Sequence, residues 1–399
     1  MIAHKSSLKL VTLGAIVLVL LSVATSSAAP KKIAVQPVSI LAELPGVEGM
    51  VVTETFIITI SNIFRETSDI QIRALDFLGA EIWSKTIDSG LDEIATAFSA
   101  DADGTVWLAG NSANLALSET ETVRIADLNP DGVIVENTLP LREDMNNLTV
   151  WEISATGELL STTSKSESAP ALVDAISATS SGAAILKTDG DDQSIISLIK
   201  GKFGKEFGAG SAKTKINSIV RAKNGSTYAF GSSSETLGGK RLMGRKDGIL
   251  LKFSKSGALS SVVRSSASKS IRDWQSATTN FFLTGSIKTG ANIQSAITKF
   301  TKNFKPTWTT RIQSTGRALA VKGAKGSVYA ILEAKTAVSG VRGWKPKDGK
   351  SIVLQFDRKG KIIGAFASSE FGVARASGSS SAGGLFILTE DEKLLKINN

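Results

Sequence analysis

The sequence has 399 residues, a formal net charge of +9, no cysteine and a single histidine, His4. Without thiol or imidazole beyond residue 4, the rest of the chain is closed to Ser-His-Asp and Cys-His nucleophiles, to thiolate chemistry and to nearly all zinc, copper and haem sites. Charge is uneven: residues 31–170 hold 8 Lys/Arg against 22 Asp/Glu, and residues 171–399 hold 36 against 15. The second half therefore either suits an anionic partner or is the solvated basic side of one surface.

The chain starts with Lys5 and Lys9, an apolar run of fourteen from Leu10 to Val23, and the small-residue tail ATSSAAP, Ala24 to Pro30. As a helix that run would span about 21 Å, short of the ~30 Å hydrocarbon core of a bilayer. It reads as an export signal over residues 1–29, followed by a short linker, 30–36, and one domain, 37–399. No later stretch has membrane-spanning length. An exported chain without disulfides is held by its core alone, and it fits a bacterial envelope better than an animal secretory pathway. The expected location is secreted or envelope-associated.

Single cores stop growing near ~250–300 residues, whereas repeated units escape that limit by packing only on their neighbours. A repeat is present. An eleven-residue block, an apolar strand ending in a bulky residue, then a polar triplet and often Gly, reads DIQIRALDFLG (Asp69 to Gly79). It returns as TVRIADLNPDG (Thr122 to Gly132), GAAILKTDGDD (Gly182 to Asp192), DGILLKFSKSG (Asp247 to Gly257), QSAITKFTKNF (Gln294 to Phe304) and KSIVLQFDRKG (Lys350 to Gly360). DEKLLKINN (Asp391 to Asn399) is a last, shortened copy. The anchors Leu75, Leu128, Thr188, Phe253, Phe300, Phe356 and Ile397 lie 41 to 65 residues apart, the span of a four-stranded unit. The triplet and Gly predict a hairpin turn.

A second column, a turn and then a short apolar strand, follows most anchors: DADGTVWLAG, AKNGSTYAFG, TTNFFLTG, AKGSVYAIL and AGGLFILT. Its aromatics Trp107, Tyr228, Phe282, Tyr329 and Phe386 are expected to pack between sheets. The C-terminal copy lacks later strands, and SILAELP (Ser39 to Pro45) with GMVVTETFIITIS (Gly49 to Ser61) supplies them. The expectation is all-β: a seven-bladed β-propeller of four-stranded blades, its last blade shared between the two termini, with six or eight blades as the alternative count. Ser161 to Gly182 reads as a polar connection.

Asp69, Leu75, Gly79, Trp83, Asp103, Gly104 and Gly110, and again Asp247, Lys252, Phe253 and Gly257, match a repeat motif. On them the chain resembles the β-propeller repeat family of secreted and surface proteins of bacteria. That resemblance implies a fold and no particular reaction or ligand.

No catalytic residue, metal site or cofactor is expected. Asp101 and Asp103, or Asp189, Asp191 and Asp192, fall short of a full calcium loop and read as turn residues. Lys187, Lys252, Lys299 and Lys396, with Gln355, each precede an anchor and would form a partial ring. Such a ring could attract anions, or it could lie on an edge where lysine deters strand pairing. Two long basic loops, Gly231 to Gly248 and Thr336 to Lys350, both end in KDG and are expected on adjoining parts of the ring. Lys240, Arg241 and Arg245 in the first, and Arg342, Trp344, Lys345 and Lys347 in the second, combine charge with an aromatic platform for an acidic polymer. Nucleic acid would suit the charge, but no recognition motif accompanies it. The expected function is non-enzymatic binding of an anionic envelope polymer or a protein. Alternatives are a carbohydrate-active hydrolase or lyase using Asp/Glu and a self-assembling envelope protein.

Overall fold

The computed structural model describes residues 32–114 and 143–398. The expected export signal, residues 1–29, and the block Thr122–Gly132 with its anchor Leu128 lie outside the described residues.

The elements are strands almost throughout. After β1 (Ile33–Ala34) and β2 (Ser39–Glu43), a four-stranded antiparallel meander is built from β3 (Gly49–Val52), β4 (Ile57–Phe64), β5 (Ser68–Leu75) and β6 (Glu81–Ile87). The plan recurs in β7 (Glu93–Ala100), β8 (Val106–Ser112), β9 (Asn147–Ile153) and β10 (Leu159–Ser166). It recurs in β11 (Leu172–Thr179), β12 (Gly182–Asp189), β13 (Asp192–Ile199) and β14 (Lys202–Phe207), and in β15 (Thr214–Arg221), β16 (Thr227–Ser233), β17 (Asp247–Phe253) and β18 (Leu259–Ser265). A seven-stranded sheet follows, made of β19 (Ile271–Ala277), β20 (Phe282–Thr289), β21 (Asn292–Phe300), β22 (Pro306–Lys322), β23 (Val328–Ala334) and, after the short β24 (Val341–Arg342), β25 (Ile352–Phe356) and β26 (Ile362–Phe366). Its two halves meet on the 17-residue β22, which pairs with β21 through Gln313 and with β23 from Ser314 onward.

The last sheet joins the ends of the chain. β27 (Ala374–Ser380), β28 (Gly384–Thr389) and β29 (Lys393–Ile397) are completed by β2, in the register Ser39↔Lys396, Ile40↔Leu395 and Glu43↔Lys393. The first strand of each meander, the second half of β22 and β27 follow one another around a central cavity, and β27 returns to β3. The fold is an all-β propeller.

Sequence explains the layering. Second strands such as IITISNIF, VWLAGNS, TYAFGSS and GLFILT are buried on both faces, so they read as unbroken apolar or small-residue runs. Outermost strands such as LLSTTSKS and KFGKEF lie largely in water and carry polar residues. The core is divided into slabs between successive sheets: Ile60 and Ile72 meet Leu108 and Trp151, and Tyr228 and Phe230 meet Trp274 and Phe300. The five column aromatics are all buried in such slabs, as expected.

The turns after Leu75, Ile153, Phe253 and Phe356 have a common chemistry. Asp76 Oδ1 accepts the amides of Leu78 and Ala80 at 2.8 and 2.9 Å, and Asp357 Oδ1 those of Lys359 and Lys361 at the same distances. Ser154 does the same with its hydroxyl for Thr156 and Glu158, and Ser254 Oγ accepts the amide of Ala258. Gly360, at φ +82°, closes one such turn against Trp308, where a Cβ would come within 2.5 Å of the indole. Asp101 likewise caps its turn, accepting from the amides of Asp103 and Thr105 and from Trp107 Nε1. Among the described residues no group of three or more His, Cys, Asp or Glu could hold a metal ion.

Three sequence expectations are corrected. GAAILKTDGDD is the second strand of its sheet, not the third; Asp189↔Asp192 closes a tight β12–β13 hairpin whose polar tip resembles the repeat turn. In the preceding sheet the third strand is β9, with Ile153 opposite Val106. The stretch Ser161 to Gly182 contains most of β10 and all of β11; its serines and threonines alternate in and out of solvent as an edge strand requires. Residues 33–36, expected as linker, pair with Val341–Arg342 and bridge to Phe366.

Candidate functional site

The first strands β7, β11, β15, β19 and β27 each bulge at one residue: Thr96, Asp174, Asn217, Gln275 and Arg375. On β22 the register breaks just before Ala318, beside Arg317. A bulge re-aims its extra side chain, and here all six, with Glu48, line the cavities along the ring axis. The enabling signal was in the sequence. Gly110, Gly231 and Gly285, which lie within the aromatic strands β8, β16 and β20, face these bulges, and a Cβ would stand 1.9, 1.9 and 2.0 Å from the carbonyls of Ile94, Lys215 and Asp273.

These polar side chains are tied to their neighbours. Asn217 Nδ2 donates to Asp273 Oδ1 at 2.8 Å, Gln193 Nε2 to Asp174 Oδ2 at 3.0 Å, and Arg317 Nη1 to Glu390 Oε1 at 2.7 Å. Asn62 Nδ2 donates to Glu48 Oε2 and to the Ala95 carbonyl. Burial pushes the Glu93 carboxyl up, at the start of β7, where it accepts bonds from Ser89.

The two basic loops join second to third strands, β16 to β17 and β23 to β25, so both leave the end of the ring where the bulges lie. They are separated by the β19–β22 meander and do not adjoin. Lys240, Arg241, Arg245, Arg342, Lys345 and Lys347 are exposed, and none makes an ion pair with a described residue. Trp344 is half-buried. Its ring packs against the core slab under β22–β26, and its Nε1 is buried without a partner.

The lysine column also resolves differently. Lys252, Lys299 and Lys396 sit on third strands opposite Tyr228, Phe282 and Phe386. Lys252 and Lys396 lie 5.7 Å from the Tyr228 and Phe386 ring centres, and Lys396 Nζ donates to the Phe77 carbonyl at 2.8 Å. Burial pushes Lys299 down. The ring is broken elsewhere: Trp107 faces Glu152, and Lys187 belongs to the second strand β12.

Lys187 is buried and bridges Glu167 at 3.0 Å and Glu206 at 2.9 Å, with Lys165 on the same two carboxylates. Burial alone would raise Glu206, but bonds from Lys187 and Ser194 outweigh it and hold the carboxyl below its usual range. A depressed carboxyl contributes stability above its unfolded pKa, and that contribution is lost as pH falls through the lower folded value. Lys187→Met is expected to cost about 2 kcal/mol at pH 7. In urea unfolding the gap to wild type should close below about pH 4.

No protein-family model matches the sequence, and no curated protein matches it. Among solved structures the chain is similar to a streptogramin B lyase structure, 9% identical with a TM-score of 0.53 over 90% of this chain and 97% of that one. It is similar to a protein from Lactobacillus plantarum, 12% identical with a TM-score of 0.50 over 84% and 88%. A Dos1 propeller structure aligns at 11% identity and a TM-score of 0.47, over 88% and 77%. At such identities the likeness is one of fold alone. No helix among the described residues is long and apolar enough to cross a membrane.

Proposed function

We propose that the protein is an exported, non-enzymatic seven-bladed propeller that binds an acidic polymer of a bacterial envelope through its two basic loops. The observation that carries this reading is the set of six exposed basic side chains, unpaired among the described residues, presented by loops at one end of the ring. Export rests on the Lys5–Ala29 sequence pattern and on the absence of cysteine. The count of seven takes the long sheet as two blades. What supports it is that β22 changes partner at Ser314 and that separate apolar slabs flank its two halves. Carboxylate hydrolysis has less behind it, since Glu48, Asp174 and Asp273 at the axis are each engaged by a side-chain amide.

Binding to an immobilised polyuronate, compared with a neutral glucan, tests the reading. Reversing Lys240, Arg241, Lys345 and Lys347 to Glu should weaken polyuronate binding tenfold or more at low salt and flatten its salt dependence. Equal binding to the neutral glucan, or binding indifferent to salt, would refute it. Trp344→Ala, by contrast, belongs among stability variants, because the ring packs against a core slab.

A further inference from the structure

First-to-second and third-to-fourth strand turns lie at the end of the ring opposite the basic loops. There, a pocket of about 720 Å³ opens between three successive sheets. It is lined by the Ser180–Gly182 turn, by Lys200 and Gly201 of the β13–β14 turn, by Lys223 to Gly225 of the β15–β16 turn, and by Lys255. Trp107, Glu152 and Ser161 of the preceding sheet form its other wall. The volume is that of a small-molecule site, typically about 300–1,000 Å³.

Arg221, the last residue of β15, also lines this pocket. It is 3% exposed, and its Nε and Nη1 are buried with no hydrogen-bond partner. No ion pair relieves it among the described residues, and burial pushes its guanidinium pKa down. Its backbone, by contrast, is fully placed: the amide donates to Ser177 Oγ at 2.9 Å and the strand register sets it against Thr227. A buried cation with orphan donors is strongly unfavourable unless something supplies acceptors. On the other wall, Ser161 Oγ is another buried polar atom without a partner. Lys200 stands at φ +50°, where a two-residue hairpin ordinarily takes Asn or Gly. Four cations, Arg221, Lys200, Lys223 and Lys255, face one carboxylate, Glu152.

We infer that this pocket binds a small ligand through a tetrahedral oxyanion, a phosphate or sulfate group, with the Arg221 guanidinium as its anchor. The planar fork of arginine presents parallel donors to two oxygens of such a group, and the excess of cations suits a charge greater than that of one carboxylate. Glu152 and Ser161 are left to meet hydroxyls on the rest of the ligand. The site is independent of the loops assigned to polymer binding, and neither proposal depends on the other.

Thermal unfolding and titration calorimetry of the full chain with sodium phosphate, sodium sulfate and sodium acetate, against sodium chloride at matched ionic strength, test it. Phosphate or sulfate should raise Tm by several degrees in a saturable way that acetate and chloride do not reproduce. Arg221→Met should abolish that shift and, by removing an unpaired buried charge, unfold at a higher temperature than wild type in chloride. Lys255→Ala, at an exposed position, should fold as wild type and weaken the anion at least threefold. The inference is overturned if no saturable shift occurs, if acetate equals phosphate and sulfate, if Arg221→Met keeps the shift, or if that variant is the less stable protein in chloride.

Discussion

Deleting residues 32–44 will reduce the stability of the propeller by on the order of 5 kcal/mol, a large part of the 5–15 kcal/mol that holds a typical domain together. The segment contains β2, the outer strand on β29, and the buried side chains of Val38 and Leu44, each contributing about 2 kcal/mol. Leu44 N donates to the Glu392 carbonyl at 2.8 Å, a tie that is lost with it. Without β2 the backbone of β29 becomes an open edge, ready to pair with another chain. Guanidinium unfolding should show a lower and broader transition, with aggregation on dilution. Deleting only residues 32–36 keeps β2 and should cost about 1 kcal/mol. Wild-type unfolding of the longer deletion would mean that closure carries no weight.

Asp247→Ala will cost about 3–5 kcal/mol and will also weaken polyuronate binding, although it makes the loop more basic. The Asp247 carboxylate is fully buried and accepts from Arg264 Nη1 at 3.1 Å and from the amides of Met243 and Gly244 at 2.9 and 2.8 Å. Arg264 in turn donates to the carbonyls of Lys240 and Glu235. One buried pair thus fastens the whole β16–β17 loop to β17 and β18. Removing the carboxylate leaves a desolvated guanidinium, and it frees Lys240, Arg241 and Arg245 from a common geometry. Simple electrostatics expects tighter polymer binding from the lost negative charge; pre-organisation expects weaker. Urea unfolding and polyuronate binding of the same variant decide between them.

The repeat was legible where turn chemistry and packing agree. Leu75, Phe253 and Phe356 end third strands, and the Asp or Ser with Gly that follows each closes the hairpin as its spacing implied. The aromatic column was legible because each member has one place to go, between sheets. The third block misled because an apolar strand followed by Asp-Gly is equally the start of a tight β12–β13 hairpin. The true slot in the preceding sheet, VWEISATGELL, keeps the Ser and Gly of the turn but has Glu152 where lysine was sought. At the candidate sites, loop charge could be read directly. Arg221 could not, because turns from different sheets, far apart in the chain, make its pocket; its only local trace is a charge that follows the apolar pair Ile219-Val220 at the end of β15.

β22 has a mechanical consequence. At other junctions within the described chain a short loop separates one sheet from the next, but here a strand of 17 residues runs through, turned only by Gly316 at φ +98°. The two halves of the seven-stranded sheet are therefore riveted into one plate, with no slack for either to swing out or to be traded with a second molecule. Any breathing of the ring must be taken up elsewhere along its circumference.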